Sequence, residues 1–276
     1  MKHRILLCSL LIAATMAACT TIKEDRSSCP CWCTIDFSNV DTSVKSLHLW
    51  FFDEAGTLLY RDIINSAEYT NLYEIELKRG NVQYYVWGNV AENTMLDDNS
   101  TLNTSLLRLE NVQADPLYYY GKRLNTVGEN CSDTIIMQKE YSIVEVELLG
   151  EPANDYPLYM DTEAGTAGRY VDGRFIEEKC CIEAQPYGVD SLPCVFSFKI
   201  IRQKDLTGLK MKLYTIVDDE SIVLREFPLG SWLLGLGYDM KSLNLTDISV
   251  QLDISMGMAS IKIEDWNMTY PVMIVL

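Results

Sequence analysis

The sequence predicts an all-β protein: two tandem antiparallel β-sandwich domains following a lipoprotein signal peptide. Three observations carry this. Short Val, Ile, Leu and Tyr stretches alternate with polar residues at a period of two along most of the chain. Gly, Asp, Asn and Pro clusters separate those stretches at strand-like intervals. The 276 residues include sixteen tyrosines and five tryptophans, types enriched in strands. Nearly half of the chain is apolar, enough to build two cores.

The first element is a leader, MKHRILLCSLLIAATMAAC. Lys2 and Arg4 form a positive start, and the apolar run that follows is too short to span a bilayer, which takes about 20 residues. Residues 1–18 therefore read as a signal peptide. Met16-Ala17-Ala18-Cys19 resembles the lipobox of bacterial lipoproteins, with Met16 where Leu is usual. That resemblance implies cleavage before Cys19 and acylation of Cys19. Each buried CH₂ adds about 0.8 kcal/mol, so two or more acyl chains anchor a protein stably in an outer-membrane leaflet. The alternative is an ordinary cut after Ala17 or Ala18 that leaves Cys19 unmodified. Residues 19–33 read as a lipidated tether. Lys23-Glu24-Asp25 resembles an acidic surface-export signal, or is a solvated linker.

The N-terminal domain is expected over residues 34–139. Residues 34–40 and 44–53 are apolar-rich, and Trp50, Phe51 and Phe52 in a row suit a strand buried on both faces. Asp53-Glu54-Ala55-Gly56 is a turn into a hairpin partner over 57–64. Tyr73, Ile75 and Leu77 alternate with Glu74, Glu76 and Lys78. Val82, Tyr84 and Val86 share one face of the next strand. Residues 104–112 (TSLLRLENV) read as a short helix capped by Asn103 or Thr104. Residues 132–137 close this half.

The C-terminal domain is expected over 140–276. Val144, Val146 and Leu148 face one way along its first strand. Residues 150–193 are loop-rich, with room for short strands. Strands follow at 195–201, 209–217 and 221–227. The cleanest alternation is Ile248, Val250, Leu252, Ile254 and Met256. Residues 261–266 and 270–276 complete the pattern.

Charge narrows the function. Lys plus Arg total 23 against 39 Asp plus Glu, a formal net charge of −16. That field repels polyanions, so no nucleic-acid partner is expected. The two histidines are His3, in the leader, and His48, in an apolar strand where a packed role fits better than a catalytic one. No cofactor motif is present: Gly235-x-Gly237 lacks both the third glycine and a βαβ setting.

Of nine cysteines, Cys29, Cys31, Cys33, Cys131, Cys180, Cys181 and Cys194 remain after the leader and Cys19 are set aside. An exported chain meets an oxidising compartment, so all seven are disulfide candidates. Seven is odd, so one thiol at least stays free or pairs between chains. Cys29-Pro30-Cys31-Trp32-Cys33 has C-x-C-x-C spacing and lacks the C-x₂-C pairs of a zinc site. In an extended strand these sulfurs share a face and do not readily bond to one another.

Asp25-Arg26-Ser27-Ser28-Cys29-Pro30-Cys31 with Ile35-Asp36-Phe37-Ser38 resembles the start of the FimB-like fimbrial anchor lipoproteins. The strand ending in Asp53 with its Gly56 turn, and Ile261-Lys262-Ile263-Glu264-Asp265-Trp266, continue the likeness over nearly the whole mature chain. Cys33 departs from the pattern. The resemblance implies transthyretin-like sandwiches, an outer-membrane lipid anchor and a place at the base of a type V pilus. The partner would be a fimbrillin-type pilin and no catalytic residue would be involved. It also implies polymerisation by strand addition, in which shaft subunits lose an N-terminal strand and open a groove. An anchor lipidated at Cys19 keeps that strand, so its own groove stays filled and it acts as a donor or docking surface. Val272, Ile274 and Leu276 are the donor candidates; the alternative is that they end the last strand of the second sandwich.

Two other functions compete. A surface adhesin, glycan-binding lipoprotein or fimbrial tip subunit could use Tyr118-Tyr119-Tyr120, Trp232 and Tyr238 to stack on sugars. An enzyme could use carboxylates such as Asp161 with Glu163, Glu177-Glu178 or Asp218-Asp219-Glu220, although charge clusters at turns usually face solvent.

Overall fold

The computed structural model describes residues 28–69, 72–97, 100–109, 113–149, 157–187, 194–253, 258–263 and 269–273. The signal segment, Cys19 and Lys23-Glu24-Asp25 lie outside the described residues. Up to residue 139 the strands are β1 (Cys31–Asp36), β2 (Ser46–Phe52), β3 (Leu58–Asn65), β4 (Tyr73–Leu77), β5 (Asn81–Gly88), β6 (Thr94–Asp97), β7 (Leu106–Leu109), β8 (Tyr118–Asn125), β9 (Asn130–Thr134) and β10 (Gln138–Lys139). Then come β11 (Tyr141–Leu149), β12 (Leu158–Ala164), β13 (Gly168–Tyr170), β14 (Phe175–Ile176), β15 (Cys180–Glu183), β16 (Gln185–Tyr187), β17 (Cys194–Ile201), β18 (Lys210–Val217) and β19 (Glu220–Phe227). A short helix α1 (Leu229–Gly235) precedes β20 (Ile248–Asp253), β21 (Met258–Ile263) and β22 (Thr269–Met273).

The first half stacks a three-stranded sheet, β4-β1-β9, on a five-stranded one, β10-β8-β5-β2-β3. Alternate residues meet between them: Cys33 and Ile35 from β1, Leu47, Leu49 and Phe51 from β2, Val82, Tyr84 and Val86 from β5. The period-two pattern is the cause, since successive side chains in a strand point to opposite faces. Strand β2 is buried on both faces, as its aromatic run predicts. Phe51 enters this core while Trp50 and Phe52 enter another on the reverse side.

The second half pairs a six-stranded sheet, β16-β17-β11-β20-β21-β22, with a four-stranded one, β15-β12-β18-β19. Val144, Val146 and Leu148 meet Phe196, Phe198, Met211, Leu213 and Val250, and Leu229 and Leu233 of α1 pack against the same core. Burying each such side chain gains about 1.5–3 kcal/mol over leaving it exposed.

A fifth sheet, β14-β13-β7-β6, takes two strands from each half. It corrects the helix expected over 104–112: within that stretch Leu106–Leu109 is strand β7, paired with β6 and β13. Leu107 and Leu109 point inward and Arg108 outward, so the period is two and not 3.6. Gly168 is required where β13 meets β7, because a Cβ there would stand 2.2 Å from the Leu107 carbonyl oxygen. Behind this sheet Trp50, Phe52 and Trp87 pack with Val171 and Ile201, and the Trp87 indole donates to the Val171 carbonyl at 2.9 Å.

A buried ionic knot reinforces the joint. Glu140, between β10 and β11, accepts a hydrogen bond from Arg202 Nε at 3.0 Å. Arg169 Nη1 of β13 lies 2.9 Å from its other oxygen, in charge contact but outside hydrogen-bond alignment. Arg202 also donates to the carbonyls of Lys139, Met240, Ser242 and Leu243. Burial pushes the Glu140 carboxyl up, against the pull of the two guanidiniums.

Removing one partner of such a group leaves buried charge uncompensated. Glu140→Ala is expected to destabilise the chain by about 3–5 kcal/mol in urea unfolding.

Candidate functional site

Strand β1 is the first of the described strands and includes Cys31–Cys33, the end of the stretch expected to be a tether. It begins at Cys31, three residues before the strand start expected from sequence. It occupies the centre of its sheet: β4 runs antiparallel on one side, Cys31 opposite Leu77, and β9 runs parallel on the other, Cys33 opposite Cys131. Among the described residues, β4 and β9 have no neighbour in that sheet but β1. Cys31, Cys33 and Ile35 point inward and are almost wholly buried, while Trp32 is half exposed. Arg79 Nε donates to the Cys29 carbonyl at 3.0 Å, and Trp32 N donates to the Glu129 carbonyl at 2.8 Å, so the approach to β1 is also held.

Asp133 fastens β9 from the other side. Its carboxylate accepts from Tyr120 at 2.7 Å, and also from Tyr84 and Lys122. Burial alone would raise this carboxyl, but the three donors outweigh it and hold it below the ordinary carboxylate value.

The seven candidate cysteines are all thiols in this structure. Cys31, Cys33 and Cys131 come together at the β1–β9 ladder. Cys29 is exposed just before it. Cys180 is buried in β15 and donates to the Thr166 carbonyl, Cys181 points outward beside Asp161, and Cys194 is half-buried at the start of β17. Among the described residues no group of three or more His, Cys, Asp or Glu is arranged to hold a metal ion.

Two sheet edges bear on docking. β19 ends the four-stranded sheet, and Ile222, Val223 and Leu224 are 46%, 51% and 40% exposed on it. These are consecutive residues, so both faces of the edge are apolar and open. The hairpin turn at Asp218 and Asp219, with φ of 53° and 64°, has the positive dihedrals of a tight two-residue connection. With Glu220 it gives the edge an acidic tip. β22 is the edge of the six-stranded sheet. Val272 stands in it opposite Ala259 of β21, paired within the chain. Ile274 and Leu276 lie outside the described residues.

Several residues of the competing readings make structural contacts. Tyr118 meets Ser43, Tyr119 packs on Trp87 and donates to the Asp172 carbonyl, and Tyr120 serves Asp133. Tyr238 is buried, donating to the Thr246 carbonyl, and Trp232 packs beside Phe227. A groove of about 380 Å³ on the six-stranded sheet is lined by Glu145, Glu147, Val195, Ser249, Val250, Gln251 and Ser260, with no aromatic ring. Glu163 is paired with Lys179 and Lys212, Glu177 with Lys204 and Glu178 with Arg108. His48 is half-buried against Trp50, and burial lowers its pKa. Among the described residues no helix is long and apolar enough to cross a membrane.

The fold is nearly all β, built of several largely antiparallel sheets. The structure superposes on the fimbrial anchor protein Mfa2 of Porphyromonas gingivalis with a TM-score of 0.65 at 14% identity, covering 86% of this chain and 98% of that one. A Bacteroides thetaiotaomicron protein provisionally named as polysaccharide-binding gives 0.68 at 14% identity, covering 88% and 98%. Another from that organism, provisionally named an adhesin, gives 0.61 at 17%, covering 89% and 97%. No curated protein sequence matches the chain. The sequence matches the fimbrillin-A associated anchor proteins Mfa1 and Mfa2 over residues 26–270, and the chain belongs to that family. It is a fimbria-associated protein.

A carboxylate held below its ordinary pKa stabilises the fold above the unfolded value of about 3.9 and loses that contribution as pH falls through the folded value. Asp133→Asn is expected to cost about 1.5–3 kcal/mol at pH 7. It should also remove part of the loss of urea midpoint that the unmodified chain shows below about pH 4.

Proposed function

We propose that this chain is an outer-membrane lipoprotein, acylated at Cys19, that holds a type V fimbria at its base and limits its length. The central place of β1 supports this most directly. Strand addition of the family type needs a groove vacated by an N-terminal strand. Here that place is filled by β1, and a chain tethered through Cys19 cannot shed β1 and stay attached. A subunit that offers no vacated groove ends a chain of donated strands, which is what a base and a length limit require.

The pilin then joins at an open edge. β19 is the stronger choice: among the described residues no strand pairs with its outer edge, its Ile222, Val223 and Leu224 are exposed and apolar, and its acidic tip favours a partner strand flanked by Lys or Arg. The C-terminal residues Val272, Ile274 and Leu276 are the other choice, and using them as donors would require β22 to leave β21.

Cys19→Ala should abolish acyl labelling and release fimbriae, with the variant, into the culture medium. Fimbriae retained on cells that carry only this variant would sink the anchor reading. A photo-crosslinking residue at Val223 should capture a fimbrillin-type pilin in outer membranes, and Val223→Lys should weaken pilin binding at least tenfold. Capture from position 274 with none from position 223 would instead make the C-terminal segment the donor.

A further inference from the structure

The thiols at the β1–β9 ladder form a group that no sequence spacing shows. Cys31 and Cys33 lie two residues apart on the inward face of β1. Cys131 of the parallel neighbour β9 stands opposite Cys33 in register. Its thiol is near enough to those of Cys31 and Cys33 for the three to perturb one another. Paired strands lie about 4.8 Å apart, within the roughly 4.4–6.8 Å between Cα atoms that a disulfide spans. Cys131 is half-buried, while Cys31 and Cys33 are closed off by the sandwich.

We propose that Cys33 and Cys131 form a disulfide that staples β9 to β1, with Cys31 left as a free thiol beside it. The register selects this pair. Cys33 and Cys131 face each other across the ladder, whereas Cys31 stands one residue ahead of the start of β9 at Asn130. Cys31 and Cys33 point the same way along one strand and cannot close on each other without breaking it. The bond closes a loop of roughly 100 residues, among the larger gains for a single crosslink in the chain-entropy picture.

Oxidation is expected while the chain folds. Burial pushes the Cys31 thiol up to about 11 and the Cys131 thiol up to about 12. Few thiolates are therefore present once the sandwich has closed, and thiolate is the attacking species. The step is a thiol–disulfide exchange with a small or protein disulfide. The two chain thiols give up two protons and two electrons, the S–S bond forms between Sγ atoms, and the oxidant's own S–S bond is reduced to two thiols.

The bond does not depend on the anchor reading. If that reading holds, the staple passes load arriving through the tether from β1 directly to β9. The test is to isolate the full-length protein from membranes under alkylating conditions, digest it and sequence the crosslinked peptides. A Cys33–Cys131 link is expected, retained in Cys31→Ser and lost in Cys131→Ser. Refolding the denatured, reduced full chain with oxidised glutathione should regenerate it and lower the unfolding equilibrium constant about 10²–10³-fold against the reduced chain. Alkylated Cys33 and Cys131 in the isolated protein, or a Cys31–Cys131 link in their place, would overturn the proposal. Because mapping reads the bond itself, its outcome is independent of whether fimbriae remain attached.

Discussion

Most of the N-terminal half depends on one strand keeping its place. Among the described residues, β4 and β9 share no ladder with each other, and each finds its partner in that sheet only in β1. Withdrawing β1 would expose two rows of backbone N–H and C=O groups and remove Cys33 and Ile35 from the core at the same time. A buried polar group without a partner costs about 1–3 kcal/mol, so the loss would far exceed any single side-chain contact. The strand that carries this weight is also the first of the described strands. The first described strand is thus the one that this half can least do without.

The second half repeats the arrangement from within the chain. β11 lies between antiparallel β17 and parallel β20, as β1 lies between antiparallel β4 and parallel β9. The two repeats are joined by shared structure as well as by sequence connection. A sheet built from both, the Trp50, Phe52 and Trp87 core behind it, and Glu140 between Arg169 and Arg202 all sit at the joint. A buried ion pair adds little net stability compared with apolar packing, but it penalises any arrangement in which the charges do not meet. The knot at Glu140 thus works chiefly against misalignment of the two halves.

Much of the strand content was legible because burial follows a period of two. Val82, Tyr84 and Val86, or Val144, Val146 and Leu148, announce both the strand and its inward face. The stretch at 104–112 misled because Leu106, Leu107 and Leu109 also satisfy a helical spacing. What decides it is pairing with β13, sixty residues later, which no local pattern contains. Strand β12 falls in the loop-rich stretch where only short strands were expected, because Asp161 and Glu163 interrupt its apolar pattern, and helix α1 carries no sequence signal because two glycines weaken it. The cysteine group is the clearest case. Cys31 and Cys33 were seen to share a face, but their neighbour comes from a parallel crossover, and parallel partners leave no hairpin signal between them.

The open edge at β19 has a cost that a self-contained protein would avoid. Natural sheets blunt their edges with charges, bulges or short strands, because an apolar edge invites pairing with other chains. This chain does blunt β19 in part: the register slips between Leu213 and Tyr214, leaving Leu224 as an extra residue opposite them. The stretch from Glu220 to Val223 stays regular, with Ile222 and Val223 both exposed. The bulge therefore limits the usable edge to one short segment. A short segment pairs with one strand in one register and gives a long, indiscriminate edge no chance to form. Asp218, Asp219 and Glu220 set negative charge beside this segment, which disfavours a strand of like charge and favours one of opposite charge. Filled centre and bounded edge thus differ in kind: β1 is paired on both sides, while the exposed apolar segment of β19 is limited by a bulge at one end and an acidic turn at the other.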